Sequence, residues 1–348
     1  TLVAIAALTA VSAFAQSSVT ISGNVDLGMQ QTKENGYSAL SNGVEATRKQ
    51  SGPIGNGATG FTSSALGLDI KEDLGTGTTA GYSAAMNIQS WGAGPDVANQ
   101  ALFTGRHSYA FIGSQQAGEV RLGYQYTLDD QIQGGIGRAT PTGNIAGRIQ
   151  NYSLNTLPIA AAPTAPVVNR ENGELVTSGA VTRTNAIQYN TPVYSGLQGM
   201  VQYASQADDK AKSASTPDGK ADGKMQAIAA KYTNGPLNLG ASYTKFVSDA
   251  ATQATASKAL KTTAKLTDLA ANYDLGVAKL FGNYYTRTTD ITAGSTYNGS
   301  YTDNVYGLFK DGGSIKRTGY DLGVSAPFGK TTVYASTGKG KYKTIDGT

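Results

Sequence analysis

The 348-residue chain contains no cysteine, which excludes disulfide staples, thiolate metal sites and cysteine catalysis. Histidine occurs once and proline only 10 times, and charged residues make up just 15% of the chain. The formal net charge of +4 is mild for this length, and the lysines are scattered through polar stretches. No basic run marks a nucleic-acid footprint, so no nucleic-acid partner is expected. Nor does any segment reach the roughly 20 apolar residues that a membrane-crossing helix needs. With one histidine and no thiol, an enzyme is not expected, and neither a cofactor nor a metal site is called for.

What is abundant is glycine, at 44, and tyrosine, at 20. Together they suit a sheet-rich chain with many tight turns and aromatic side chains on its strands. Residues 1–15, TLVAIAALTAVSAFA, carry no charge and end in Ala13-Phe14-Ala15. An apolar stretch closed by a small-x-small site reads as the remnant of a signal peptide, with the mature chain starting at Gln16. An exported chain without apolar helices is either soluble or a β-barrel.

From Ser18 onward the chain reads as strands. In 80–89, Ala80, Tyr82, Ala84, Met86 and Ile88 alternate with Gly81, Ser83, Ala85, Asn87 and Gln89. The same period of two recurs in 197–204 and 237–244. Thirteen strands are expected, near 18–31, 63–74, 78–90, 101–116, 118–128, 183–192, 197–206, 224–233, 237–247, 265–275, 277–287, 317–326 and 331–342. A soluble sandwich would alternate too, so the connections decide. Short links (GTG, QAG, VYSG, NGP, DLG, APFGK) follow every even strand, and long polar links follow every odd one. That places all long loops at one end of an up-and-down sheet. Transmembrane barrels have this form, whereas a sandwich has Greek-key links. The fold class expected is all-β, a transmembrane antiparallel up-and-down barrel forming one domain over 16–348. Tyrosines near strand ends suit the membrane–water boundary. Bacterial barrels have an even number of strands, so thirteen implies about three further strands and a C-terminally incomplete barrel of about 16.

Two regions, LGLDIKEDLGTGTTA (66–80) and RHSYAFIGSQQAGEVRLGYQYT (106–127), resemble the Gram-negative general porins of the proteobacterial type. The matching residues are Glu72, Asp73, Leu74 and Gly75, then Arg106, Tyr109, Ile112, Gly113, Val120, Leu122, Gly123 and Gln125. TNAIQYNTPVYSGLQG (184–199) fits a third pattern of that family. The resemblance implies an outer-membrane homotrimer of barrels and passive diffusion of small hydrophilic solutes and ions. Its expected surroundings are outer-membrane lipid and lipopolysaccharide, and the third long loop, 129–182, would fold inward to narrow the pore. The family often carries Arg where Ala65 and Tyr124 stand here, and its closing strand is not matched. A substrate-specific channel for sugars or organic acids is the alternative, with an adhesin or structural barrel behind it.

Several patterns are decoys. Gly75-Thr76-Gly77-Thr78-Thr79-Ala80 matches a dinucleotide fingerprint, but a strand rather than a helix follows. Asp208, Asp209, Asp218 and Asp222 are interleaved with lysines, as on a solvated loop rather than a calcium site. His107 shares its parity with Phe103, Tyr109 and Phe111, expected to be the outer wall. The candidate site is made of arginines. Between Gln131 and Asn169 the only charges are Arg138 and Arg148. Arg106 and Arg121 alternate with small or polar neighbours and are expected to face the lumen, and Arg183 opens the sixth strand. Arg106, Arg121, Arg138, Arg148 and Arg183 are therefore the expected pore-lining or constriction residues, favouring anions.

Overall fold

The structure, a computed structural model, describes residues 17–25, 27–39, 44–55, 64–88, 103–137, 183–205, 222–250, 260–293 and 314–345. It contains strands β1 Ser18–Asn24, β2 Leu27–Ala39, β3 Val44–Gly55, β4 Ala65–Gly75, β5 Thr78–Ile88, β6 Phe103–Ser114, β7 Gly118–Tyr126 and β8 Arg183–Asn190. There follow β9 Leu197–Ser205, β10 Asp222–Asn234, β11 Leu237–Ala250, β12 Leu260–Asp274, β13 Lys279–Ala293, β14 Ser314–Phe328 and β15 Thr331–Ile345. Between β7 and β8 lie a helix, α1 Leu128–Ile132, and a π-helical turn, Gln133–Gly137. The expected signal segment and Arg138 and Arg148 fall outside the described residues.

Thirteen strands form one sheet in the order β1-β4-β5-β6-β7-β8-β9-β10-β11-β12-β13-β14-β15. Each pairs antiparallel with the next, for instance Ala230 opposite Ala241 and Ala241 opposite Leu269. The six short links are tight turns, and each holds a glycine with positive φ: Gly77, Gly118, Gly196, Gly235, Gly276 and Gly329. Only glycine adopts that backbone without strain, which is why the short-turn positions are legible in the sequence. The stretch that mimicked a nucleotide loop is one of these hairpins.

The faces of the strands are reversed relative to a soluble protein. On β9, Val201 is 50% exposed while its neighbour Gln202 is 4% exposed. On β7, Leu122 is 64% exposed and Gln125 2%. Exposed Tyr203, Tyr243, Tyr273, Tyr284 and Tyr320 join Ile187, Ile228, Leu269 and Leu322 on the outer face, whereas Gln188, Thr244, Asn272 and Asn283 are buried inside. Apolar side chains gain by facing outward only where lipid, not water, surrounds the sheet. The fold is a β-barrel wall of the transmembrane kind.

Several boundaries differ from the sequence reading. The first expected strand stops at Asn24, and Leu27–Ala39 instead pairs with Val44–Gly55 as a separate two-stranded sheet inside the first long link. The fifth ends at Tyr126, where α1 begins. β12 and β13 run on to Leu260 and Ala293, past the expected ends near 265 and 287. Those extensions are rich in Thr and Lys on both faces, so hydrophobic alternation ends before backbone pairing does.

Outer-face polarity is testable. In reversible urea unfolding from lipid vesicles, Val201→Arg is expected to cost about 2–4 kcal/mol. Gln198→Arg, on the inner alternation of the same strand, should cost much less. Equal effects would contradict the assignment of faces.

Candidate functional site

Immediately after β7 the chain turns onto the inner face of the sheet. Thr127 is extended at the helix start, and Asp129 and Asp130 occupy the first turn of α1, where negative charge suits exposed backbone N–H groups. Leu128, Ile132 and Ile136 recur every four residues and form one stripe. It packs on Met200, Ala227 and Ala270, with Ala229 beside them. The wall opposite is cut small to receive it. A Cβ on Gly240 would lie 2.6 Å from Ile136 Cδ1 and 3.0 Å from Ile132 Cγ2, so a side chain there would drive the segment off the wall.

Polar contacts lock the same segment. Gln131 Nε2 donates to Tyr126 O at 2.8 Å and to Gln188 Oε1 at 2.9 Å. Gln202 Nε2 donates to Tyr126 O at 2.9 Å, and Asn272 Nδ2 to Ile136 O at 2.9 Å. Gln133 donates to Asp268, and Thr244 Oγ1 donates to Asp129 Oδ1 at 3.3 Å. Asp129, Asp268 and Arg287 are all buried, and Arg287 is electrostatically coupled to both carboxylates. One wall cation thus serves a loop carboxylate and a wall carboxylate together. Burial lifts the Asp129 carboxyl to about 6, against the opposing pull of Arg287.

The expected arginines separate into two settings. Arg121 shares the inner alternation of β7 with Gln125; its Nε contacts Glu119 Oε1 at 2.5 Å, and its guanidinium lies 5.2 Å from the Tyr109 ring centroid. Arg106 and Arg183 instead meet at Tyr126, at the long-loop end of β6–β8. Arg106 Nε donates to the Tyr126 hydroxyl at 2.7 Å, and Arg183 stacks 4.8 Å from the Tyr126 ring centroid. Register shows why parity could not treat Arg106 and Arg121 alike. Ser108 pairs with Tyr124 and Ala110 with Leu122, while Tyr109 pairs with Gly123 and Phe111 with Arg121. Paired residues share a face, so Arg106, in step with Ser108 and Ala110, takes the outer alternation beside exposed Ile112. A register shift opposite Ala85 and Met86 sets Arg106 at a bulge. Arg183 likewise alternates with the buried Thr184 and Ala186.

His107 lies inside, not on the outer wall as its apolar neighbours suggested. Its Nε2 is 3.0 Å from Ser83 Oγ, which donates to Asp69 Oδ1 at 2.6 Å. The serine proton is directed to the aspartate, so the imidazole acts as donor to Ser83. That is the reverse of a nucleophile activated by a histidine base. Among the described residues, no group of three or more His, Asp and Glu could hold a metal.

The network of Asp129, Gln133, Asp268 and Arg287 was not foreseen, because it joins residues far apart in sequence. The four-residue spacing of Leu128, Ile132 and Ile136, just after Thr127, was the one available signal for α1.

The family model for Gram-negative porins matches residues 1–348. The chain is 28% identical over 335 residues to an outer membrane porin protein of Bordetella pertussis, covering 90% of this chain and 77% of that protein. It is 27% identical over 332 residues to outer membrane porin protein 32 of Delftia acidovorans, covering 94% and 76%. Among solved structures, an anion-selective porin from Comamonas acidovorans matches with a TM-score of 0.55 and 26% identity, over 93% of this chain and 78% of that one.

The raised Asp129 carboxyl has a signed consequence. The folded state holds this proton between the ordinary value of 3.8 and about 6, so the group's stabilising contribution is present below that window and is lost as pH rises through it. In thermal unfolding from pH 4 to 6.5, Asp129→Asn should lose less stability than the parent protein. Parallel pH profiles would refute this.

Proposed function

The chain belongs to the Gram-negative porin family, and from that premise we propose that its pore prefers small anions. As a porin of the outer membrane it is a passive diffusion channel and not an enzyme. The anion preference rests on how the charges are engaged. Of the carboxylates around the inner loop, Asp129 and Asp268 are buried and Asp130 is half-buried. Arg106 and Arg183 converge half-buried on Tyr126 at the long-loop end. Being on the outer alternation, they would border the pore mouth rather than line its wall, with no carboxylate in ion-pair contact with either among the described residues. At that mouth the guanidinium field is therefore less offset than the field of the buried carboxylates. Arg121, on the inner face, adds to that field in part, because Glu119 offsets it. The anion-selective relative supports the same reading.

Within this reading residues 16–348 form one barrel domain, and 129–182 constrict its pore. The described start of that segment, Leu128–Gly137, lies on the inner face. Arg138 and Arg148 follow it directly in the sequence and would extend the cationic lining. The assembly would be a homotrimer, as the family resemblance implies. Two arginines about 6 Å from an ion in water would each contribute about 0.7 kcal/mol, close to tenfold selectivity together.

Planar-bilayer reversal potentials under a potassium chloride gradient test this. The potential should have the sign of anion preference and should weaken as the Debye length falls from about 30 Å at 0.01 M to about 3 Å at 1 M. Arg121→Gln/Arg138→Gln/Arg148→Gln should move it toward zero while conductance persists, and Arg106→Gln/Arg183→Gln should move it less. A cation-selective parent, or a variant with undiminished anion preference, would overturn the proposal.

A further inference from the structure

Histidine occurs once in the chain, and His107 has none of the roles described so far. It stands on the inner face of β6, opposite Ala85 at the register shift of β5. Ser83 Oγ has one proton to give and directs it to Asp69 Oδ1 at 2.6 Å. The imidazole Nε2, 3.0 Å from the same hydroxyl oxygen, therefore carries the ring proton of the neutral form. Nδ1 is left as a bare lone pair. It has no hydrogen-bond partner among the described residues, so no donor holds the ring in that neutral form. Imidazole is also the side chain whose ordinary titration falls between about pH 5 and 8.

The ring is set among charges on the neighbouring strands. Asp69 on β4 is the near carboxylate, and Arg106 on β6, Arg121 on β7 and Arg183 on β8 are the near cations. Glu119 offsets Arg121 alone. Two phenols flank the imidazole, with the Tyr109 ring centroid at 5.6 Å and that of Tyr126 at 6.1 Å. From β5 comes the neutral Ser83. The arginines keep their charge at every working pH, and Asp69 reaches the ring only through the serine hydroxyl. A second proton, on Nδ1, thus adds a whole positive charge to a wall that is already more cationic than anionic. No acceptor described in the protein stands at Nδ1 to neutralise it.

We propose that His107 is a proton-dependent selectivity residue of the channel, which makes the inner wall favour anions more strongly once the ring is doubly protonated. The inference rests on the channel reading but not on which ion the pore prefers at neutral pH. Added positive charge favours anions from either starting point. One charge about 6 Å from an ion in water changes the local ion concentration roughly threefold. Arg121 supplies a constant field, whereas His107 ties part of the field to the acidity of the medium. Asp129 on α1 acts in the same direction, because its carboxyl, lifted to about 6, loses negative charge on acidification. The two contributions are separable by mutation, since they lie on different elements.

A single histidine makes the test direct. Folded protein carrying isotope-labelled histidine gives one imidazole in ring-nitrogen NMR, reporting tautomer and protonation from about pH 8 to about pH 4.5. The neutral ring should be protonated at Nε2 and bare at Nδ1, and Ser83→Ala should release that bias. Reversal potentials in planar bilayers over the same range should show a step of about threefold toward anions, with the midpoint of the ring signal. Asp129→Asn should retain this step and His107→Gln should remove it. A ring that stays neutral throughout, a neutral ring bare at Nε2, or a full parental step in His107→Gln would overturn the proposal. Should His107→Gln fail to fold, the step in Asp129→Asn decides the matter: it must coincide with the ring midpoint, and displacement from it refutes the assignment. A parent protein without conductance would overturn the channel reading and the proposal with it, whereas a conducting parent without the step overturns the proposal alone.

Discussion

Within a bilayer no water is available to the backbone, so each peptide N–H and C=O must find its partner inside the protein. In this chain the interstrand ladder meets that requirement between neighbouring strands from β1 to β15, and much else follows from it. A continuous sheet in lipid has one apolar surface, which must be the outer one. Polar residues then collect on the inner surface, where Gln188, Gln202, Thr244 and Asn272 are buried. Antiparallel neighbours allow short links, so every second connection shrinks to a turn around a glycine in the left-handed region. The long connections have no such constraint and collect at the other end.

The inner surface creates a problem that the loop after β7 solves. A wall rich in amides and carboxylates would otherwise be only solvated. Placing α1 against it removes water from Asp129, Asp268 and Arg287, which is costly unless the charges offset one another and their hydrogen bonds are made. Coupling of Arg287 to both carboxylates, with donors from Gln133 and Thr244, offsets part of that cost. The apolar stripe of Leu128, Ile132 and Ile136 contributes the rest by packing against Ala and Met on the wall. Gly240 lets that stripe approach. The result is a lining held in place by mixed apolar and ionic contacts rather than by a separate core.

This anchoring shapes the field inside the pore. Two of the carboxylates that hold the loop, Asp129 and Asp268, are buried by it, which under the proposed reading leaves the cations to set the field a permeating ion meets. Selectivity by a weak, screened field suits a passive channel, because a solute bound tightly would not leave. Outside, the exposed Lys224, Lys265, Lys316 and Lys339 lie beyond the apolar residues of their strands' outer alternations and not among them. Charge is placed at levels where water or headgroups can solvate it.

Particular residues show how far the sequence reached. Alternation such as Leu197, Val201 and Tyr203 against Gln198, Gln202 and Ala204, and glycine-marked turns, are local properties. They determined the sheet, its thirteen strands, the family and the end at which the long loops lie. Which face a given strand turned inward was less local. On β6, His107, Tyr109 and Phe111 are bulky, and bulk resembles a lipid face; only pairing with Gly123 and Arg121 on β7 turns them inward and Arg106 outward. The hairpin of β2 and β3 was hidden because its strands lack alternation, and the tops of β12 and β13 were hidden for the same reason. The meeting of Asp129 with Arg287, and of Arg106 with Arg183, joins segments separated by long stretches of chain. Periodicity records which side of its own strand a residue takes, and only the tertiary register decides which residues from distant strands stand together.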